Sequence, residues 1–230
     1  MATGDRQLVL DLPLAPASRL EDFLPAASNR RALDLILAWP AWPGVAAVVD
    51  GAEGAGKSHL AAIWLERSAG VRLDPTLLWP GADPLARLGA ARACCIEDAD
   101  RVEDEELLFH LYNLVAERGG HLLLTARQPL AAWPLRLPDL RSRLRTALTV
   151  PIMPPDEHLL AAVLVKQLAD RGLTVAPEIV EWLVRRCERS FRAIARLAAE
   201  LDLASLRARR PITLPLARAV LEAIEPAPIA

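Results

Sequence analysis

Gly51-Ala-Glu-Gly-Ala-Gly-Lys-Ser58 is the stretch whose reading decides the fold of this 230-residue chain. Its spacing is G-x-x-x-x-G-K-S. Glycines at Gly51, Gly54 and Gly56 let successive backbone N–H groups turn inward and wrap phosphate oxygens. The apolar run Val45–Val49 leads into the loop as a buried strand, and "KSHLAAIWLERSA" reads as the helix that follows. That helix aims its N-terminal dipole at the same anion. Lys57 is placed to reach the outer phosphates and Ser58 to set its hydroxyl on Mg²⁺.

Working outward, the run Ala93–Ile96 reads as a second strand, ending in the acids Glu97, Asp98 and Asp100. An amphipathic helix, "EDEELLFHLYNLVAERGG", is stopped by Gly119-Gly120. "HLLLTA" is a third strand, "LPDLRSRLRT" a short helix and "ALTVPI" a last strand. Upstream, "SNRRALDLILAW" predicts a helix capped by Ser28 or Asn29. Past Pro154-Pro155 only amphipathic helices follow, from Asp156 to Ile224. Strands alternating with helices predict an α/β fold with a parallel sheet covered on both faces, and the helical tail predicts a small separate bundle.

Composition narrows the function. A hydrophobic fraction of 53% excludes a disordered chain, and a net charge of −2 gives no bulk attraction to nucleic acid or membrane. The longest uncharged run, Leu35 to Val49, is too short to span a bilayer, and no secretory signal opens the sequence. Cys94, Cys95 and Cys187 form no ligand set, which points to a reducing, cytoplasmic setting. Cys94 and Cys95 should face opposite sides of their strand. Of 27 basic residues only Lys57 and Lys166 are lysines.

Three further features bear on chemistry. "CCIEDAD" offers Glu97-Asp98 where a hydrolytic site usually has Asp then Glu. With Glu97 on the metal, a longer side chain meets an ion with little geometric slack. With Asp98 on the metal, Ala99 stands where the water-orienting residue belongs. Both registers stay open and both predict weak intrinsic hydrolysis. Arg141, Arg143, Arg145 and Arg192 could complement phosphate charge, in their own site or a neighbour's. In "QLVLDLP" an extended backbone would put Leu8, Leu10 and Leu12 on one side, with Gln7 at the entry. That reads equally as a groove-binding tail or as a first edge strand.

The order of these motifs resembles the AAA+ module of the bacterial replication initiator DnaA and, within that group, the Hda-type regulators, over nearly the whole chain. "RLEDFLPAASNRRAL" is similar to the family's opening box, which implies that Phe23, Leu24 and Asn29 border the adenine. "GAEGAGKSHL" (with His59) matches Walker A and "CCIEDAD" Walker B. "LLLTARQPL" looks like sensor 1 with Thr125 as its polar residue, although Ala126 and Arg127 replace a polar pair. "LPDLRSRL" carries the arginine finger onto Arg143, and "SFRAIARL" carries sensor 2 onto Arg192. The implied architecture is an AAA+ P-loop NTPase base over 19–153 and a helical lid over 154–230, preceded by a clamp-binding tail over 1–18.

The implied ligands are ADP or ATP with Mg²⁺. The implied partners are DnaA and the DNA polymerase III sliding clamp (its β subunit), gripped by Gln7, Leu8, Leu10 and Leu12. DNA is met only through the clamp, and assembly into a homo-oligomer stays open. The implied function is stimulation of ATP hydrolysis by DnaA in trans through Arg143, which prevents over-initiation. An AAA+ ATPase that remodels a partner such as a helicase, or an adaptor without hydrolysis, are the alternatives.

Overall fold

The structure, a computed structural model, describes residues 19–73, 86 and 88–224. The expected tail, with Gln7, Leu8, Leu10 and Leu12, lies outside the described residues. Five strands form one all-parallel sheet: β1 (Ala46–Asp50), β2 (Val71–Leu73), β3 (Ala93–Ile96), β4 (His121–Ala126) and β5 (Leu148–Pro151). Their order across the sheet is β2-β3-β4-β1-β5. β1 sits between β4 and β5, with Val48 opposite Leu124 on one side and Thr149 on the other. All five of its residues are buried, as a strand covered on both faces requires.

Helices α1 (Arg30–Leu37) and α2 (Lys57–Ser68) cover one face of the sheet. There Ile36, Leu60 and Trp64 pack on Ala47, Val49, Cys95 and Leu123. Helices α3 (Glu105–Glu117) and α4 (Pro138–Leu144) cover the other, where Leu108, Leu111 and Leu140 pack on Val48, Cys94, Leu122 and Leu124. Cys94 and Cys95 therefore serve opposite cores, as the strand alternation predicts. Burial pushes the Cys94 thiol up to about 12 and the Cys95 thiol well above its ordinary value, so both act as small core side chains.

The four helices that follow are α5 (Glu157–Ala169), α6 (Pro177–Val184), α7 (Phe191–Ala208) and α8 (Leu214–Ile224). They share a separate core that includes Leu164, Leu183, Ile194, Leu201 and Leu221. Their starts are locally encoded. Asp156 accepts from the Leu159 N–H at 2.8 Å and Ser190 from the Ala193 N–H at 3.1 Å, while Pro177 opens α6. No helix among the described residues is long and apolar enough to cross a membrane.

The lid is tied to the base by the second of the two lysines. Lys166 on α5 donates to Asp22 at 2.7 Å and to Asp170 at 3.0 Å. The hydrogen bond from Lys166 holds the Asp22 carboxyl below its ordinary range, and the same bond holds the Lys166 ammonium above its own. A depressed carboxyl contributes stability above its unfolded pKa and loses it as pH falls through the folded value. The Asp22→Asn protein should therefore melt about 2 °C lower at pH 7. The gap should close as pH falls below about 4, the ordinary carboxylate range. Thermal melts of both proteins between pH 3 and 7 test this, and a gap independent of pH would rule the tie out.

Candidate nucleotide site

β1 ends at the buried Asp50, whose carboxyl is raised by desolvation, and the glycine loop begins at once. Gly54 and Gly56 take φ of +74° and +100°, the left-handed region where a side chain strains. A Cβ on Gly54 would stand 2.9 Å from Cβ of Ser190, and one on Gly56 3.3 Å from the Phe191 ring. The glycines thus serve both the turn and the approach of the lid. The Phe191 N–H donates to the Gly54 carbonyl at 3.0 Å, sealing the first turn of α7 onto the loop.

Lys57 opens α2 and is only 7% exposed. Its ammonium donates to the carbonyls of Gly51 at 2.7 Å and Ala52 at 2.9 Å, so it lies over the loop itself. Burial lowers its pKa foremost, while the carboxylates of Asp98, Asp100 and Glu53 act against that and Arg127 adds to it. A buried cation over a glycine turn at a helix N-terminus is a fitting cradle for phosphate.

At the end of β3 the hydroxyl of Ser58 donates to Glu97 Oε2. Of the two acids, Glu97 is thus the one beside the loop serine. Its other oxygen takes Arg72 Nη1 at 2.7 Å. Asp98 takes φ +49°, its backbone N–H donating to the hydroxyl of the buried Thr125 at 3.2 Å. A hydroxyl beside a carboxylate fits Mg²⁺ held mainly through phosphate and water, for among the described residues no group of three or more His, Cys, Asp or Glu could hold a metal alone.

Arg127, just past β4, pairs with Glu53 at 2.8 Å and with Asp98 at 3.3 Å, and its N–H donates to Asp100 at 3.2 Å. Arg192, on the first turn of α7, pairs with the same Glu53 at 2.5 Å. Arg192, the expected sensor 2 residue, and Arg127, two residues past the expected sensor 1 residue Thr125, therefore meet on a carboxylate of the phosphate loop. Glu53, Arg127 and Arg72 were not among the expected site residues. The signal available in sequence was the acid at a variable position of the loop.

The opening box abuts α2. Phe23 meets the His59 ring edge-on at 5.2 Å, and His59 Nε2 lies 3.1 Å from the Arg19 carbonyl. Asn29 corrects an expectation. It sits at the start of α1 but caps nothing there. Its Oδ1 accepts from the Ala26 N–H at 2.8 Å and its Nδ2 donates to the Leu24 carbonyl at 3.0 Å. Ser28 caps nothing either, its hydroxyl being buried with no hydrogen-bond partner among the described residues. The nearby loop outcompetes the helix end for the Asn29 amide, which fixes Phe23 and Leu24 in place beside α2.

Arg143 stands apart. It is exposed on α4, its guanidinium 5.6 Å from the ring centres of Phe109 and Tyr112. The carbonyl of Arg143 accepts from the Thr146 hydroxyl at 2.7 Å. The Thr146 carbonyl in turn lies 3.6 Å from a Cβ built on Gly44, just ahead of β1. Arg143 thus belongs to the strand-start end of the sheet, whereas the phosphate loop follows the strand ends, about 16 Å away along β1.

Residues 156–221 match the family model described as the Hda lid domain. Over those residues the chain is similar to Hda. The fold of the chain is similar to domain III of the replication initiation protein DnaA from Thermotoga maritima. That match has a TM-score of 0.76 at 18% identity, over 92% of this chain and 98% of that one. AMPPCP-bound DnaA from Aquifex aeolicus matches with a TM-score of 0.69 at 15% identity, over 84% of this chain and 68% of that one. The Thermotoga maritima RuvB Holliday junction branch migration motor matches at 0.73 and 16% identity, over 90% of this chain and 72% of that one. At such identities the structures establish the AAA+ fold, and the likeness to Hda is carried by residues 156–221.

Proposed function

We propose that this Hda-like protein is a nucleotide-clasped regulator of replication initiation that stimulates ATP hydrolysis by DnaA in trans. The observation that carries this is the place of Arg143, exposed at the end of the sheet away from the chain's own phosphate loop. From there it reaches only a neighbouring molecule's site. Bound ADP or ATP would be held by the loop, Lys57 and Ser58, with Phe23 and Leu24 along the base. Mg²⁺ would be held by Ser58 and Glu97 and would neutralise phosphate charge. Arg72 on Glu97 and Arg127 on Asp98 compete with metal and water for these acids, which favours a clasp over a hydrolytic engine. Gln7, Leu8, Leu10 and Leu12 dock on the sliding clamp and deliver Arg143 to DnaA.

The test combines this protein with ATP-loaded DnaA, clamp loaded on DNA, and ADP. Conversion of DnaA-bound ATP should accelerate at least tenfold, and Gln7→Ala should abolish the gain. No acceleration while nucleotide stays bound to this chain would overturn the regulator reading.

A further inference from the structure

We infer that the hollow between α6 and α8 is a docking site for an acidic peptide segment of a partner protein, whose carboxylates pair with Arg186 and Arg218. The two helices leave an open hollow of about 400 Å³ on the lid, lined by Trp182, Arg186, Arg218, Leu221 and Glu222. Both guanidiniums lie over the indole of Trp182, Arg186 at 4.5 Å and Arg218 at 5.6 Å from the ring centre. Trp182 is partly buried and Leu221 buried, whereas both arginines are exposed. None of these residues belongs to the nucleotide site.

Arg218 and Glu222 stand four residues apart on α8, the spacing that brings opposite charges together on a helix. Arg30 with Asp34, Lys166 with Asp170 and Arg185 with Glu181 all close their ion pairs at that spacing, at 3.3, 3.0 and 3.5 Å. Arg218 does not. Its guanidinium lies over the indole instead, and no carboxylate among the described residues pairs with it or with Arg186. A guanidinium that covers a ring uses its face on the π-system and keeps its in-plane N–H groups for an acceptor. One N–H of Arg186 goes to the Trp182 carbonyl at 3.2 Å. The others form two forks around one ring, with the apolar Leu221 beside them, and a carboxylate matches such a fork. The charges around the hollow select among anions. Glu222 on its rim repels a polyanion, and two arginines make no track for a phosphate backbone, so a strand of nucleic acid fits poorly. A short acidic segment with an apolar side chain next to its carboxylate fits both the forks and Leu221.

The full chain is titrated while the indole N–H signals of its six tryptophans are followed by NMR, that of Trp182 being assigned by its loss in Trp182→Phe. The probes are short capped peptides in which Asp or Glu alternates with Leu or Phe, their Asn and Gln counterparts, and oligothymidylate. The acidic peptides should shift the Trp182 signal saturably, and their amide counterparts should bind at least about tenfold more weakly, the effect of losing a charge-assisted hydrogen bond. Arg218→Gln should weaken the acidic peptides by about the same factor. Arg218→Lys should recover part of the loss, because it restores the charge without the fork. ADP binding and the thermal midpoint should stay unchanged in both variants, which separates the hollow from the nucleotide site and from a general loss of fold. Equal binding of acidic and amide peptides, no shift with any peptide, or a shift with oligothymidylate alone overturns the inference.

Discussion

Arg143→Ala should lower the stimulated rate of DnaA ATP hydrolysis by about 10³-fold or more, the effect of withdrawing an arginine finger supplied in trans. A guanidinium presents a planar fork to the phosphoryl oxygens as their charge spreads, in a site where water no longer screens it. Arg143→Lys should recover only a small part of the rate, because a point charge on a flexible stem does not reproduce the fork. The substitution should leave the fold intact. Arg143 is exposed, and its stacking on Phe109 and Tyr112 contributes about 0.5–1 kcal/mol at such a site. Arg141 and Arg145, exposed on or beside the same short helix, supply the comparison. Each replaced by alanine should cost less than tenfold. Should Arg141→Ala carry the large loss instead, the register of the finger is wrong, and equal small losses at all three would remove the mechanism in trans.

Much of this molecule is legible in sequence because its signals are local. The runs Ala93–Ile96 and His121–Ala126 are strands to the residue, and the helices beyond Pro155 follow their apolar spacing. β1 extends one residue past its apolar run, because Asp50 is buried where the strand enters the loop. β2 escapes such a reading. Val71–Leu73 is three residues with an arginine at its centre, and it becomes a strand only because β3 offers an edge, Val71 pairing with Cys94. The site divides the same way. The glycine loop with its lysine and serine is a contiguous pattern, whereas the link from Glu53 to Arg127 and Arg192 joins residues far apart in sequence. Asn29 shows the remaining difficulty. A residue fit to cap a helix is equally fit to bind a nearby turn, and only the folded loop decides between them.

Replacing Trp64 by alanine should destabilise the protein by about 3–5 kcal/mol, the cost of emptying a core site this large. Trp64 is 0% exposed, on the middle of α2. It lies flat on Trp42 at 5.6 Å between ring centres and edge-on to Trp39 at 6.1 Å. Trp42 is itself held by donation to the Leu35 carbonyl at 2.8 Å, so the stack has no soft side that could close on the void. A midpoint drop of about 10 °C follows for a chain of this size. Trp64→Phe should be much milder than its lost volume suggests. The Trp64 ring N–H is buried with no hydrogen-bond partner among the described residues, and removing it offsets part of the cavity cost by about 1–3 kcal/mol. The stack matters to the site because α2 presents Lys57 and Ser58 on its first turn. Loosening the helix frees the loop, so Trp64→Ala should also weaken ADP binding. Excess ADP should then raise the variant's midpoint, since a ligand that binds only the folded state stabilises it by about 2.7 kcal/mol at a hundred times its Kd. Melts of both variants with and without ADP distinguish these effects. A Trp64→Ala protein that melts with the wild type would mean that the sheet face under the phosphate loop is not the rigid support described here.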